Sequence, residues 1–215
     1  MGGQKKEYCP LKEKPLTVLG AAASAFAACE RINLIVFAIP EGHEKEARNA
    51  LPLDLNKKEL LFVTGGLNRR ASIYNALSML EKYMPDWVLI HDGARPWVSI
   101  NLIEMIIDAV ILHKAVIPLL PLVETPKEGD FSEGIGGVTG FITRHLKRAG
   151  LGTAQTPQGF LFPQILRAHE KAAEREEREM IEYTDDAEVW GEFIGPVAVI
   201  PGEIENRKIT FPGDI

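Results

Sequence analysis

The chain has little cysteine, no surplus of positive charge and no long apolar run. Cys9 and Cys29 are its two cysteines. Isolated as they are, they argue against a disulfide framework or a zinc site and suit a reducing compartment. With 24 basic side chains against 30 acidic ones, the net charge is −6, which argues against a nucleic-acid partner, because such proteins carry a basic face. Any anion site must therefore be local. No apolar stretch reaches the about 20 residues that a bilayer-spanning helix requires. Residues 1–6 are glycine-rich and basic, with no apolar core of a secretory signal behind them. The expectation is a cytoplasmic protein with no membrane partner.

What is present suits one α/β domain over residues 1–215: 46% hydrophobic and 25% charged residues in a chain long enough for a sizeable core. Apolar runs bounded by turn residues alternate with amphipathic stretches, as βαβ units require, so a largely parallel sheet is expected. The strands fall at 32–39, 60–63, 87–90, 115–120 and 197–200, and the helices at 16–29, 44–50, 69–84, 100–113 and 163–182. Ile73, Ala76, Leu77 and Leu80 share one helical face, which reads as core. The charges between Glu170 and Glu182 read as a solvated face with i,i+4 pairs. Between 121 and 152 the alternation breaks into prolines, glycines and short β-like pieces such as 138–143. Two readings stand: a surface loop, or a β-arm that pairs with a second subunit and buries its open edges.

The densest chemistry follows the apolar run Trp87-Val88-Leu89-Ile90, in His91-Asp92-Gly93-Ala94-Arg95-Pro96. Open α/β sheets bind ligands at the carboxyl ends of their strands. Arg95 can fork two donors onto phosphate oxygens, and Asp92 can accept from a hydroxyl or face a hydrated metal ion. A polar turn in which Asp92 caps a helix is the plainer alternative. Gly65-Gly66-Leu67-Asn68-Arg69-Arg70-Ala71-Ser72 opens a helix whose first turn favours anions. It lacks the P-loop lysine, and a glycine turn with a helix cap explains it as well. Tyr183-Thr184-Asp185-Asp186-Ala187 fits a helix start capped by Thr184, or two acids around a magnesium hydration shell or a sugar hydroxyl. Lys208 stands just beyond a strand, and Gln155-Thr156-Pro157-Gln158-Gly159 is a further polar loop. With Lys6, Arg69 and Arg95 these supply several phosphate-binding cations in an acidic chain, and no Ser/His/Asp or Cys/His set competes with them.

In their order, these segments resemble the 2-C-methyl-D-erythritol 4-phosphate cytidylyltransferase family. The matching pieces are Lys5 to Tyr8, Gly65 to Ser72, His91 to Pro96, Arg148 to Leu151, Gln155 to Phe160, Thr184 to Ala187 and Asn206 to Asp214, so the resemblance spans nearly the whole chain. It implies a Rossmann-like nucleotidyltransferase fold, a homodimer joined by the β-arm at 121–152, and transfer of CMP from CTP to 2-C-methyl-D-erythritol 4-phosphate with magnesium present. The ion would be held mainly by phosphates. The resemblance further assigns Lys6 and Lys208 to stabilising charge at the α-phosphorus, and Gly66, Arg69, Ser72 and Asp92 to the nucleotide. Asp92, Ala94, Arg95, Thr156, Thr184 and Lys208 fall to the sugar-alcohol phosphate, with Arg148 and Thr125 reaching across from a partner subunit.

Three departures stand out. The family opens with a strand and a glycine-rich loop that wraps the triphosphate, whereas Met1-Gly2-Gly3 aligns with that loop's end; a start placed too far downstream is the expectation. Such a chain should show unpaired strand edges and a half-built triphosphate site. Relatives also carry a further helix beyond Ile215. Leu67 replaces a usual acid near the nucleotide. The alternatives are a ribitol 5-phosphate cytidylyltransferase, from which Gly93-Ala94 differs by its small size, and a catalytically silent nucleotide-binding relative.

Overall fold

Most of the helices begin where a polar side chain replaces a missing backbone partner. In the computed structural model, which describes residues 5–12, 15–130 and 140–214, helix α1 (Val18–Ala28) starts under Thr17, whose hydroxyl accepts from the Gly20 amide. A short α2 (Glu44–Asn49) follows. Helix α3 (Arg69–Leu80) starts under Asn68 and α4 (Ile100–His113) under Ser99. Helix α5 (Phe162–Glu179) carries Pro163 in its first turn, where an amide has no partner to lose. The cap of α6 (Asp186–Phe193) is Asp185 and not Thr184: the Asp185 carboxylate accepts from the Glu188 amide at 2.8 Å. Thr184 lies one residue further out and donates its hydroxyl to the Glu188 carboxylate.

Strands β1 (Leu34–Ile39) and β2 (Glu59–Thr64) pair in parallel. A second sheet holds β3 (Trp87–Ile90), β4 (Ala115–Pro121), β7 (Gly152–Ala154), β8 (Gln158–Leu161) and β9 (Ala198–Pro201). Because β8 runs antiparallel to both β3 and β4, those two point the same way, and β9 joins β4 in parallel. Two strands that the sequence did not announce, β7 and β8, are the reversed ones. Between β4 and β7 the antiparallel pair β5 (Lys127–Asp130) and β6 (Phe141–His145) forms a sheet of its own. Part of the expected strand 138–143 lies outside the described residues.

Helices cover both faces of the second sheet. Val88 and Ile90 of β3 point to a cluster with Leu77, Phe160, Ile165 and Trp190, drawn from α3, β8, α5 and α6. Trp87 and Leu89 face the opposite side, against Leu102, Ile103 and Ile107 of α4. Gly159 lets α4 approach β8: a Cβ there would come within 2.8 Å of Ile106 Cγ2. The expected helix at 69–84 stops at Leu80, runs through a 3-10 turn to Tyr83 and ends at Met84 with φ 46°. Pro85 bars its continuation.

No pairing joins β1 to β3 among the described residues, and a cavity of about 1340 Å³ opens between them, lined by every residue of both strands. Its other walls are apolar faces of α1 (Leu19, Ala22, Phe26) and α3 (Ile73, Leu77, Leu80). Among the described residues these facing edges of β1 and β3 carry no partner strand. The hexapeptide Leu34-Ile35-Val36-Phe37-Ala38-Ile39 is wholly apolar, as a strand covered on both faces should be. Yet Ala38 is exposed and Leu34, Ile35 and Val36 are only half-buried. In amide hydrogen exchange, alternate β1 amides facing this cavity should exchange orders of magnitude faster than those of β8, which is paired on both sides. Equal protection would mean that these edges are bonded in solution.

Candidate active site

Strand β3 ends at Ile90, and the loop after it turns back so that Asp92 lies among three cations. Lys208 Nζ stands 3.0 Å from Asp92 Oδ2, Arg95 Nε 3.6 Å from the same oxygen, and Arg69 Nε 3.5 Å from Oδ1. These groups come from three distant stretches: the β3 loop, the first residue of α3 and the segment after β9. Burial raises the Asp92 pKa, but Lys208 and Arg69 outweigh it, so the carboxyl is held below its ordinary value. Burial outweighs Asp92 at Arg95 and lowers that guanidinium from its usual value.

Buried polar side chains hold this arrangement. The Thr156 hydroxyl accepts from the Asp92 amide at 3.0 Å and lies 3.0 Å from His91 Nδ1, while His91 Nε2 is 3.1 Å from the Arg95 carbonyl. That carbonyl can only accept, so Nε2 carries the proton and Nδ1 takes the hydroxyl's. Gln155 donates to the carbonyls of Glu203 and Asn206 and accepts from the Glu203 amide. Asn206, fully buried, donates to the Thr156 carbonyl. The loop leading to Lys208 is therefore pinned to the β7–β8 connection. Next along the chain, Ile209 donates its amide to the Ala94 carbonyl, and its own carbonyl accepts from Lys6 Nζ at 2.9 Å.

The structure brings most of the sequence-predicted residues together. Gly66, Arg69, Ser72 and Asp92, expected at a nucleotide, all line the cavity between β1 and β3. The Gly66 amide is already engaged by the Ser72 hydroxyl, and Asn68 caps α3, so this segment is the glycine turn with a helix cap. A Cβ on Gly66 would collide with Ala71. Leu67 is fully exposed at the tip. Ala94 and Thr156 are buried behind the Asp92 loop. Thr184 is exposed beside α6, bonded to Glu188. Arg148 donates to the Val123 carbonyl within the excursion after β4, and Thr125 is exposed there.

Asp185 and Asp186 do not form a seat for a hydrated magnesium ion. Asp185 caps α6 and accepts from Gln158, while Asp186 is buried against Arg69 and His169. Among the described residues no cluster of three metal-ligating side chains is present. His91, Gln155, Gln158 and Asn206 carry structural roles that sequence reasoning did not assign. The available signal was polar side chains crowded beside apolar strands.

The model of the family described as 2-C-methyl-D-erythritol 4-phosphate cytidylyltransferase matches residues 1–215. The chain is 37% identical over 214 residues to the bifunctional enzyme IspD/IspF of Chelativorans sp. (strain BNC1), a match covering 98% of this chain and 48% of that protein. It is 34% identical to the protein of the same name from Bartonella quintana, over 97% of this chain and 50% of the other. The chain thus spans about half the length of the curated relatives it matches. Among solved structures, the 2-C-methyl-D-erythritol 4-phosphate cytidylyltransferase of Francisella tularensis superposes with a TM-score of 0.79 at 26% identity, covering 99% of this chain and 91% of that one. The enzyme from Thermus thermophilus gives 0.76 at 28% identity, over 99% and 90%.

The His91 contacts carry a pH signature. Burial lowers its pKa from 6.5 to about 4, so the unfolded chain binds a proton in this interval that the folded chain refuses. Stability should fall as pH drops from 6.5 to about 4, by about 3 kcal/mol in all. Above 6.5 this group makes no difference. Urea unfolding across that range should show the slope in the parent protein and a flattened profile in His91→Gln. The further loss below pH 4, from carboxyls such as Asp92, should remain in both.

Proposed function

Since the chain belongs to the 2-C-methyl-D-erythritol 4-phosphate cytidylyltransferase family, we propose that it transfers CMP from CTP to 2-C-methyl-D-erythritol 4-phosphate and releases pyrophosphate. The observation that carries this reading is the gathering of Arg69, Arg95 and Lys208 around Asp92, at the rim of the cavity that Gly66, Arg69 and Ser72 line.

In the reaction, a phosphate oxygen of the sugar-alcohol phosphate bonds to the α-phosphorus of CTP as the bond to the bridging oxygen breaks, and that oxygen leaves with pyrophosphate. The nucleophile is already ionised, so no protein base or covalent intermediate is needed. What remains is positioning and neutralising charge. Lys6 and Lys208 supply cations, linked through Ile209, whose carbonyl binds the Lys6 ammonium. Arg95 and Lys208 suit the phosphate of the acceptor, and Asp92 suits its hydroxyls. Thr156 contributes by fixing the Asp92 loop. Magnesium enters with the nucleotide as part of the substrate, since Asp92, Asp185 and Asp186 are committed to cations and amides.

Arg148 and Thr125 act in this reading from a second subunit. Among the described residues the β5–β6 pair joins no larger sheet, and Val123, Phe141 and Ile142 are exposed on and beside it. Apolar side chains and open strand edges of this kind suit burial against a second copy, which would make residues 121–152 a dimerisation arm. No helix among the described residues is long and apolar enough to cross a membrane, which is compatible with a cytoplasmic site of action.

Pyrophosphate release is the test, with CTP, magnesium and either methylerythritol phosphate or ribitol phosphate. Release with the first and not the second is the expected result. Release with ribitol phosphate alone would move the chain to the alternative acceptor, and binding of CTP without release would make it a silent relative. Lys208→Ala should lower turnover on the order of 10²–10³-fold, the effect of losing one preorganised donor, while circular dichroism stays unchanged. Unaltered turnover would remove Lys208 from the machinery.

A further inference from the structure

Behind Arg69 lies a buried polar pair that cytidylyl transfer does not use directly. The Asp186 side chain is 1% exposed and that of His169 0%. His169 Nε2 stands 3.2 Å from Asp186 Oδ1 but off the line of a hydrogen bond, and among the described residues neither imidazole nitrogen nor that oxygen has a hydrogen-bond partner. The other Asp186 oxygen accepts from Arg69 Nη2 at 2.7 Å. Through Nε, 3.5 Å from Asp92, the same guanidinium touches the site carboxylate. Arg69 and Asp186 are the first residues of α3 and α6, and His169 lies in α5, so three helices meet at one arginine.

A carboxylate this deep is costly to keep charged, and well-packed apolar residues would serve stability at least as well. Unsatisfied polar atoms in a packed interior call for a reason beyond stability. The direction of the contacts supplies one. An arginine side chain at a cavity rim has many rotamers, and a fixed guanidinium loses less freedom when an anion arrives. Asp186 fixes one edge of the fork, and His169 closes the far side of Asp186.

We propose that Asp186 and His169 are positioning residues for the nucleotide: they hold the Arg69 guanidinium at the cavity rim so that it meets an incoming nucleotide already oriented. This rests on the reading that the cavity takes CTP. Without Asp186, only the longer contact to Asp92 holds Arg69, and the guanidinium is free to change rotamer.

The test has a kinetic and a spectroscopic arm. Asp186→Asn should raise KM for CTP about tenfold or more, as expected for a lost charge-assisted contact, with kcat changed only a few-fold. His169→Leu should act in the same direction, and His169→Gln, which keeps a polar group beside Asp186, should stay near the parent. In 15N-arginine-labelled protein, the Arg69 Nε–H resonance, identified by its loss in Arg69→Lys, should be sharp and slowly exchanging in the parent and His169→Gln. It should broaden in Asp186→Asn and His169→Leu. An unchanged Arg69 resonance, or lowered thermal stability with an unchanged KM, overturns the proposal and leaves the pair a structural contact. Should Asp186→Asn not fold, the two His169 variants decide alone. If the parent releases no pyrophosphate, the assignment of the reaction falls, and the Arg69 resonance still decides the positioning role.

Discussion

Everything at the candidate site depends on the Asp92 carboxylate. Arg69, Arg95 and Lys208 all lie within 3.6 Å of its oxygens, and without an anion at their centre these cations would repel one another. At an effective dielectric of about 20, two unit charges 4 Å apart interact by about 4 kcal/mol, enough to scatter a cluster of three. Asp92 lets them gather before a substrate arrives. The backbone from which it projects is held by the Thr156 hydroxyl on its amide and by the His91 bridge to Arg95, and the three cations hold the side chain itself.

The same constraint explains why so many polar side chains are buried here. Lys208 belongs to a loop that would otherwise be free to move, yet Gln155 and Asn206 tie that loop to the strands at three carbonyls and an amide. Each tie is local and unremarkable. Together they convert a surface lysine into one with a set position relative to Lys6 and Arg95. Arg69 extends the network in the other direction, through an ion pair with Asp186 that packs against His169, so polar contacts run from the core of α5 to the cavity rim.

Elements whose signal lies within their own residues were legible in the sequence. The 87–90 strand and the 100–113 helix fall where periodicity placed them, because a run of four apolar residues and the Ser99 cap are local features. Strand β8 was not legible: Gln158-Gly159-Phe160-Leu161 is short, starts with a polar residue and becomes a strand only because β3 and β4 bracket it. Thr184 and Asp185 are both good caps, and only the observed geometry selects Asp185. The cations were legible as residue types, and the family order of the motifs said they would converge. That Asp92 would be their common centre, and that Thr156 would serve the loop from behind, are facts of three-dimensional register that no spacing in one sequence encodes. The reverse holds for the cavity: the apolar run of β1 announces a strand covered on both faces, and the half-buried side chains along it mark where the described structure leaves that promise open.

If the site takes a phosphate, as proposed, a carboxylate at its centre raises an apparent contradiction, since it repels the ligand that its cations attract. Exchange of partners resolves it. A phosphate that takes up Arg95 and Lys208 removes them from Asp92, whose oxygens are then free to accept from hydroxyls on the same acceptor molecule. A sugar-alcohol phosphate carries both groups at a fixed separation, so it can satisfy the cations and the acid together. Inorganic phosphate or a simple alcohol would satisfy one and strand the other, and a stranded charge at the mostly buried Asp92 costs more than a lost contact. On the proposed function, specificity for a polyhydroxylated phosphate would follow from the pairing that holds the site together.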